Sequence, residues 1–408
     1  MRNTLLITTA AAVLAASHAA AQEFIAIPPL PGDSVTVVRA VSGDGSTVVG
    51  TSGAFPDQRA FYWTDATGLV ELPFTANNSQ AWDVSYDGGV IVGQDGSTGV
   101  RWVDGVMEVL QGTEEFGNFQ PTSVSDDGNF AAGRAFPPGS PFYAAARWTE
   151  DGITDLGELE TDDFPVLATA ISSAGSIVVG ISDPQAYRWT ERTGMVGLGF
   201  LPGFDEYSTT QAISGNGKII GGQADIGFDD GYVAVYWDEE LNIHEIPSVI
   251  PSASVANAVT AANFDGSWVV GLNTGSNPSA REIFVWDPVN GSRVLQETME
   301  NSFGVDFKGW QLAGLPSPFN NDGSVFGMSN SGHAIVGVTI NPETETQWGW
   351  LIRLNPADLT LDGSVDVFDL LQLLDQWGAC EPYNCAADIN GDGVVDVFDL
   401  LALLDSWG

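Results

Sequence analysis

Ala40-Val41-Ser42-Gly43-Asp44-Gly45-Ser46-Thr47-Val48-Val49-Gly50, followed thirteen residues later by Trp63 in Ala60-Phe61-Tyr62-Trp63-Thr64, recurs in altered form almost to residue 354. The glycine that ends the apolar run recurs at Gly50, Gly93, Gly133, Gly180, Gly222, Gly271 and Gly337. Five residues before each stands another, at Gly45, Gly88, Gly128, Gly175, Gly217, Gly266 and Gly332. A tryptophan follows each marker, at Trp63, Trp102, Trp148, Trp189, Trp237, Trp286 and Trp350. Self-similarity at a period of roughly forty residues marks a repeat architecture, each unit one supersecondary piece.

Within a unit, the apolar pieces before and after Asp-Gly, the Trp-bearing piece and a fourth such as Gly68-Leu69-Val70-Glu71-Leu72 all have strand length and composition. Four short strands make a propeller blade, and Asp-Gly between apolar strands is a hairpin signal because its turn needs positive φ. Asp44, Asp87, Asp127, Asn216 and Asp265 hold the position before the first glycine, while Ala174 and Ser331 depart from it, so the acid belongs to a turn rather than to a ligand site. Unit seven runs through Trp350-Leu351-Ile352-Arg353 and then meets Asn355-Pro356, one strand short, whereas Phe24-Ile25-Ala26-Ile27 near the N-terminus is a spare strand. The expected fold of residues 22–354 is therefore all-β, a seven-bladed β-propeller closed by its N-terminal strand, which leaves no sheet edge bare. Gly271 and Gly337 lie 66 residues apart, and Asn321-Asp322-Gly323-Ser324-Val325-Phe326-Gly327 resembles a further partial unit, so the spacing alone leaves six or eight blades open.

Residues 1–21, with Arg2, the mostly apolar run Leu5 to Ala16 and Ala19-Ala20-Ala21, read as a secretory signal, which places the mature chain outside the cell or on its surface. With 13 Lys+Arg against 53 Asp+Glu, the net charge of -40 argues against nucleic acid and anionic lipid. Cations are the better small partners. Only Cys380 and Cys385 are present, so disulfides cannot staple the repeat body.

The repeat resembles the HAF-type extracellular repeat family, whose units pair a Ser-x-Asp-Gly-x-x-Val-Val-Gly block with Ala-Phe-x-Trp and Leu-Gly-x-Leu-Pro-Gly blocks. Ala186-Tyr187-Arg188-Trp189-Thr190, Gly194-Met195-Val196-Gly197-Leu198-Gly199 and Leu201-Pro202-Gly203 are the clearest copy. That resemblance supports the fold and implies no single activity.

Residues 355–408 form a second, duplicated module: 358–378 and 388–408 agree at fifteen of twenty-one positions. Asp388, Asn390, Asp392, Gly393, Asp396 and Asp399 occupy positions 1, 3, 5, 6, 9 and 12 of an EF-hand-type loop, with the Val394 carbonyl at 7. The first copy offers Asp358, Thr360, Asp362, Gly363, Ser364, Asp366 and Asp369, and Thr360 in place of an amide weakens it. Oxygen-only ligands at this spacing fit Ca²⁺, one ion per loop. Leu370, Leu373, Leu374 and Trp377, and likewise Leu400, Leu403, Leu404 and Trp407, form stripes that two helices would bury against each other, giving a small all-α unit. Chelation should melt this module and spare the propeller. A loop followed by one helix, used twice, resembles the dockerin family, which implies a cohesin-like or cell-surface partner read by loop positions 10 and 11. Those positions are Val367-Phe368 and Val397-Phe398, apolar where many dockerins are polar; closing the module's core is the competing role. In an exported chain Cys380 and Cys385 should pair as a disulfide.

His244 and His333 lie in different units and outside any Gly-x-Ser-x-Gly or His-Glu-x-x-His setting, which argues against serine and zinc chemistry. The favoured reading is a secreted, non-enzymatic binding scaffold, with a glycan or peptide on the propeller. The alternatives are a polysaccharide-active propeller enzyme, hydrolase or lyase, and a surface or matrix structural protein. Three or more carboxylates meeting beside an exposed tryptophan in the channel would favour the enzyme, and a lining of Gly, Ala and Ser the scaffold.

Overall fold

A computed structural model describes residues 22–76, 78–159, 165–204, 207–227, 231–250, 254–275, 281–312 and 327–408. The leader reading and the partial unit at 321–326 lie outside these residues. Seven four-stranded antiparallel sheets follow one another in chain order. The first blade comprises Thr36–Val41, Val48–Ser52, Arg59–Thr64 and Gly68–Glu71, innermost strand first. The last comprises Gly327–Met328, Ala334–Ile340, Gln347–Arg353 and, outermost, Glu23–Ile27. The N-terminal strand pairs Glu23 with Arg353 and Ile27 with Gly349, so the ring closes as the two ends of the repeat suggest. The long spacing between the last two units holds a helix, α1 (Leu295–Ser302), whose Leu295 and Met299 pack into the core between blades six and seven.

The cores are formed between blades. Ile27, Val38, Val48, Phe61, Val336 and Leu351 join the last blade to the first, and comparable clusters fill the other junctions. Among the described residues, the innermost strands of the first six blades each carry a bulge directly opposite the marker glycine, as at Ala168, whose partner is Gly180. A Cβ on Gly180 would lie 1.8 Å from the Leu167 carbonyl oxygen, so glycine is required there for close backbone approach. Gly45, by contrast, serves the hairpin, with φ of 76°. In that turn Ser42 Oγ donates to Asp44 Oδ1 at 2.6 Å and accepts from Thr47 N at 2.9 Å, while Asp44 Oδ1 also accepts from Ser46 N at 2.9 Å. The recurring Ser-x-Asp-Gly is thus a self-capped turn.

The turns are also tied to one another around the axis. Asp44 N donates to Tyr86 O, Tyr86 N to Asp126 O, Asp126 N to Ser173 O, Ser173 N to Gly215 O, Asn216 N to Phe264 O, Phe264 N to Asn330 O, and Asn330 N to Gly43 O. These bonds, 2.8–3.0 Å long, make an unbroken circle of seven blades.

The C-terminal segment holds α2 (Val367–Asp375) and α3 (Val397–Asp405), each opened by a reciprocal capping box, Asp366 with Asp369 and Asp396 with Asp399. It is not all-α: Gly378–Ala379 pairs with Val394–Val395. Nor do the helices bury their whole stripes together. Leu373 and Leu403 are buried, but Leu374, Trp377, Leu404 and Trp407 are exposed. An i, i+3, i+4, i+7 stripe spans more than one short neighbouring helix can cover, because nine-residue helices meet along barely two turns.

Candidate functional site

The innermost strands enclose a central cavity of about 230 Å³. Opposite the marker glycine of each of the first six blades the Cα register of the ladder skips one residue: Arg39, Trp82, Thr122, Thr169, Gln211 and Thr260. All six line the cavity. A bulge re-aims a side chain out of the strand's alternation, and here it supplies the channel wall. Every one of them stands eleven residues before a marker glycine, a regularity that the repeat-based reading did not use.

The wall's chemistry is concentrated on one side. The Arg39 guanidinium lies over Trp82, 4.4 Å from the ring centroid. Beside it Asp83 accepts from Val84 N (2.8 Å), Ser123 Oγ (2.7 Å) and Val124 N (2.9 Å). Burial pushes its carboxyl up to about 6, against those three bonds. Asp126, also raised mainly by burial, accepts from Asn330 Nδ2 at 2.6 Å. Elsewhere the lining includes Ala40, Ala170, Ala212, Ala261, the three threonines and Gln211. Among the described residues the channel therefore carries two carboxylates, Asp83 and Asp126, and its one tryptophan, Trp82, is covered by a guanidinium. Trp268 is buried in the core between blades six and seven and Trp310 packs against it, ring to ring with Trp348 at 5.9 Å, so these serve packing.

The second module lies against the rim that bears the Asp-Gly turns. Cys380 and Cys385 are disulfide-bonded, with Cα atoms 5.3 Å apart. The loop between them projects Tyr383, in the left-handed region at φ 66°, onto the rim. Its carbonyl accepts from Asn330 Nδ2 at 2.9 Å, the same amide that holds Asp126, and its ring meets Tyr86 edge-on at 5.8 Å. A cleft of about 720 Å³ remains between rim and module, lined by Asp44, Tyr86, Asp87, Glu381, Asp388 and Asn390 among others.

In the first acidic loop Asp358 accepts from Asp362 N (3.2 Å) and Gly363 N (2.9 Å), and Asp369 from Thr360 N (2.9 Å), Thr360 Oγ1 (3.0 Å) and Asp366 N (2.8 Å). In the second, Asp388 accepts from Gly391, Asp392 and Gly393, and Asp399 from Asn390 and Asp396. Asp358, Asp369 and Asp399 are buried with no cationic side chain in the module to pair with. Burial, followed by the charges of Asp369 and Asp362, pushes Asp358 up to about 7 against bonds from two backbone N–H groups. An all-oxygen donor set carrying buried, uncompensated carboxylates fits a hard divalent cation. Asp358, Thr360, Asp362, Asp366 and Asp369, with Ser364 O, would hold one, and Asp388, Asn390, Asp392, Asp396 and Asp399, with Val394 O, a second. The acids are turned onto N–H donors rather than gathered on one point. Among the described residues, one trio of His, Cys or carboxylate ligand atoms falls within 4.8 Å, and it is Cys380, Cys385 and Asp388, whose sulfurs already bond each other.

Val367 (49 % exposed), Phe368 (61 %), Val397 (49 %) and Phe398 (62 %) all face solvent, so they do not close the module's core. With Leu371, Leu374, Trp377, Leu401, Leu404 and Trp407 they give each helix the same open apolar face.

No family model matches the chain, and no curated protein does. Among solved structures it is similar to an oligogalacturonate lyase in complex with manganese (TM-score 0.54, 12 % identity, 82 % of this chain and 96 % of that one). It is likewise similar to the oligogalacturonate lyase of Vibrio parahaemolyticus (TM-score 0.55, 10 % identity, 82 % and 97 %). TolB from Acinetobacter baumannii aligns less well (TM-score 0.40, 14 % identity, 60 % and 62 %). What the chain shares with the two lyases is the propeller fold.

Proposed function

We propose that the chain is an exported, non-enzymatic binding scaffold: a propeller of HAF-type repeats carried by a calcium-dependent, dockerin-like module that docks onto a cohesin-like or cell-surface protein. The observation that carries this is the duplicated apolar face, since Val367, Phe368, Val397 and Phe398 are exposed alike in two copies. Large contiguous apolar surface on a soluble module marks a protein interface. Calcium would order the loops from which both helices start, which makes docking metal-dependent. The test is binding of the full chain to a panel of cohesin-type domains, with calcium and with EGTA. Binding should occur only with calcium and fall at least 100-fold in the F368A/F398A double variant, a loss of about 3 kcal/mol. Unchanged binding by that variant would end the reading.

The enzyme reading keeps one support, the Asp83 and Asp126 carboxylates beside Trp82. Two acids and a covered aromatic face favour binding over cleavage in the channel. Incubation with oligogalacturonate, the substrate of the two named neighbours, should release no unsaturated product; its appearance would restore the enzyme reading.

A further inference from the structure

The two copies of the C-terminal repeat differ at position 4 of the loop, Leu361 in the first and Gly391 in the second. That difference decides how each sits. Leu361 is 7 % exposed and belongs to the core between blades six and seven, with Phe24, Phe303, Phe307, Trp350 and Ile352. Gly391 is exposed, and a Cβ on it would meet nothing within 4 Å. Around Leu361 the first loop is built onto the propeller. His333 Nε2 is 2.8 Å from Asp358 O, and Leu354 N donates to His333 O at 2.8 Å, linking the last blade to the loop's first ligand position. Gly332 faces the Leu361 side chain so closely that a Cβ there would lie 2.7 Å from it. Gly363 abuts the end of α1, where a Cβ would fall 2.2 Å from Ser302 O. Asp358 and Leu359 are buried, while their counterparts Asp388 and Ile389 are half-exposed.

We infer that the first calcium loop is a structural part of the closing blade, so that calcium bound there stabilises the whole propeller, whereas the second loop meets the rim only by way of the neighbouring disulfide loop and adds little to the propeller's stability. The inference rests on the calcium reading of the loops. A ligand that binds only the folded loop stabilises whatever must fold with it, and Leu361 makes the closing blade part of that unit. Chelation would then not spare the propeller. The linkage also fixes the docking face relative to the channel, because Leu354 is buried and no linker intervenes.

The experiment is thermal unfolding of the full chain, followed by calorimetry and near-ultraviolet circular dichroism in calcium and in EGTA, beside titration calorimetry of calcium binding. The main transition of the wild type should rise by roughly 3 °C or more in calcium. The shift should vanish in D369N, persist in D399N, and shrink by about half in H333A, which keeps every loop carboxylate. A propeller transition at the same temperature in calcium and EGTA, with binding heat still measured, would overturn the linkage and leave calcium binding standing. Absence of binding heat in the wild type would overturn the calcium reading itself, and the linkage with it.

Discussion

Gly180 shows what one repeated residue does in the sheet. It closes the Val-Val run yet lies mid-strand, paired with Ala168 and Tyr187. A methyl there would meet the Leu167 carbonyl oxygen and, at 2.7 Å, the Tyr187 hydroxyl. Gly180→Ala should therefore cost on the order of 3 kcal/mol, measured as a fall in the urea midpoint at constant slope. Asp83 makes a different prediction. Its folded-state carboxyl titrates at about 6, above its ordinary 3.8, because of burial. The folded state thus holds the proton more tightly, so the group's contribution is full below about pH 4 and is lost as pH rises through 6. Part of the side chain still faces the lumen, so the loss is roughly 2 kcal/mol. Asp83→Asn should gain on the wild type between pH 4.5 and 7.5 in urea unfolding; parallel profiles would show that the carboxyl is not held as described.

At the scale of strands and helices, neighbouring blades are clamped by arginine. The Arg147 guanidinium lies 5.1 Å from the Phe130 ring centroid and 4.9 Å from that of Trp189 in the next blade, and Nη1 donates to Gly175 O at 3.2 Å. Arg101 covers Trp148 in the same manner at 5.1 Å. Arg147→Lys should cost about 1 kcal/mol, since an ammonium cannot lie flat over two rings, and chemical unfolding of the purified variant reads it directly. The blade elements were legible because hairpin chemistry and alternation are local. The channel lining was not, because a bulge breaks alternation and turns Arg39, Trp82 and Gln211 inward without any change in composition. The helix stripes were legible as helices and misread as mutual core, since periodicity shows which face is apolar and not what covers it. Leu361 was visible as a mismatch between two copies, but its meaning lay in α1 and the last blade, far away in sequence.

For the molecule as a whole, closure depends on five residues. Phe24 and Ile27 are buried, and removing residues 22–32 would bare the edge of Gln347–Arg353 and open the core between the last and first blades. The deletion variant should melt well below the full chain and self-associate through the freed edge; an unaltered melting curve and a monomeric profile would contradict the closure. The rim circle contributes one backbone bond across that junction, Asn330 N to Gly43 O, too little to replace the lost strand.

The pairing of Glu23 with Arg353 has a mechanical side. Because the closing strands run antiparallel, the two ends of the propeller leave it side by side, at the point where Arg353 also pairs with Glu23 at 3.1 Å and Asp65 at 3.0 Å. A pull applied between the N-terminal strand and a tethered C-terminal module would load these bonds one after another, peeling the strand as a zipper opens, instead of straining the ladder in parallel. A chain moored by its C-terminal helices can thus bear tension delivered through the channel or the blades, and yields first to tension delivered through its own N-terminus.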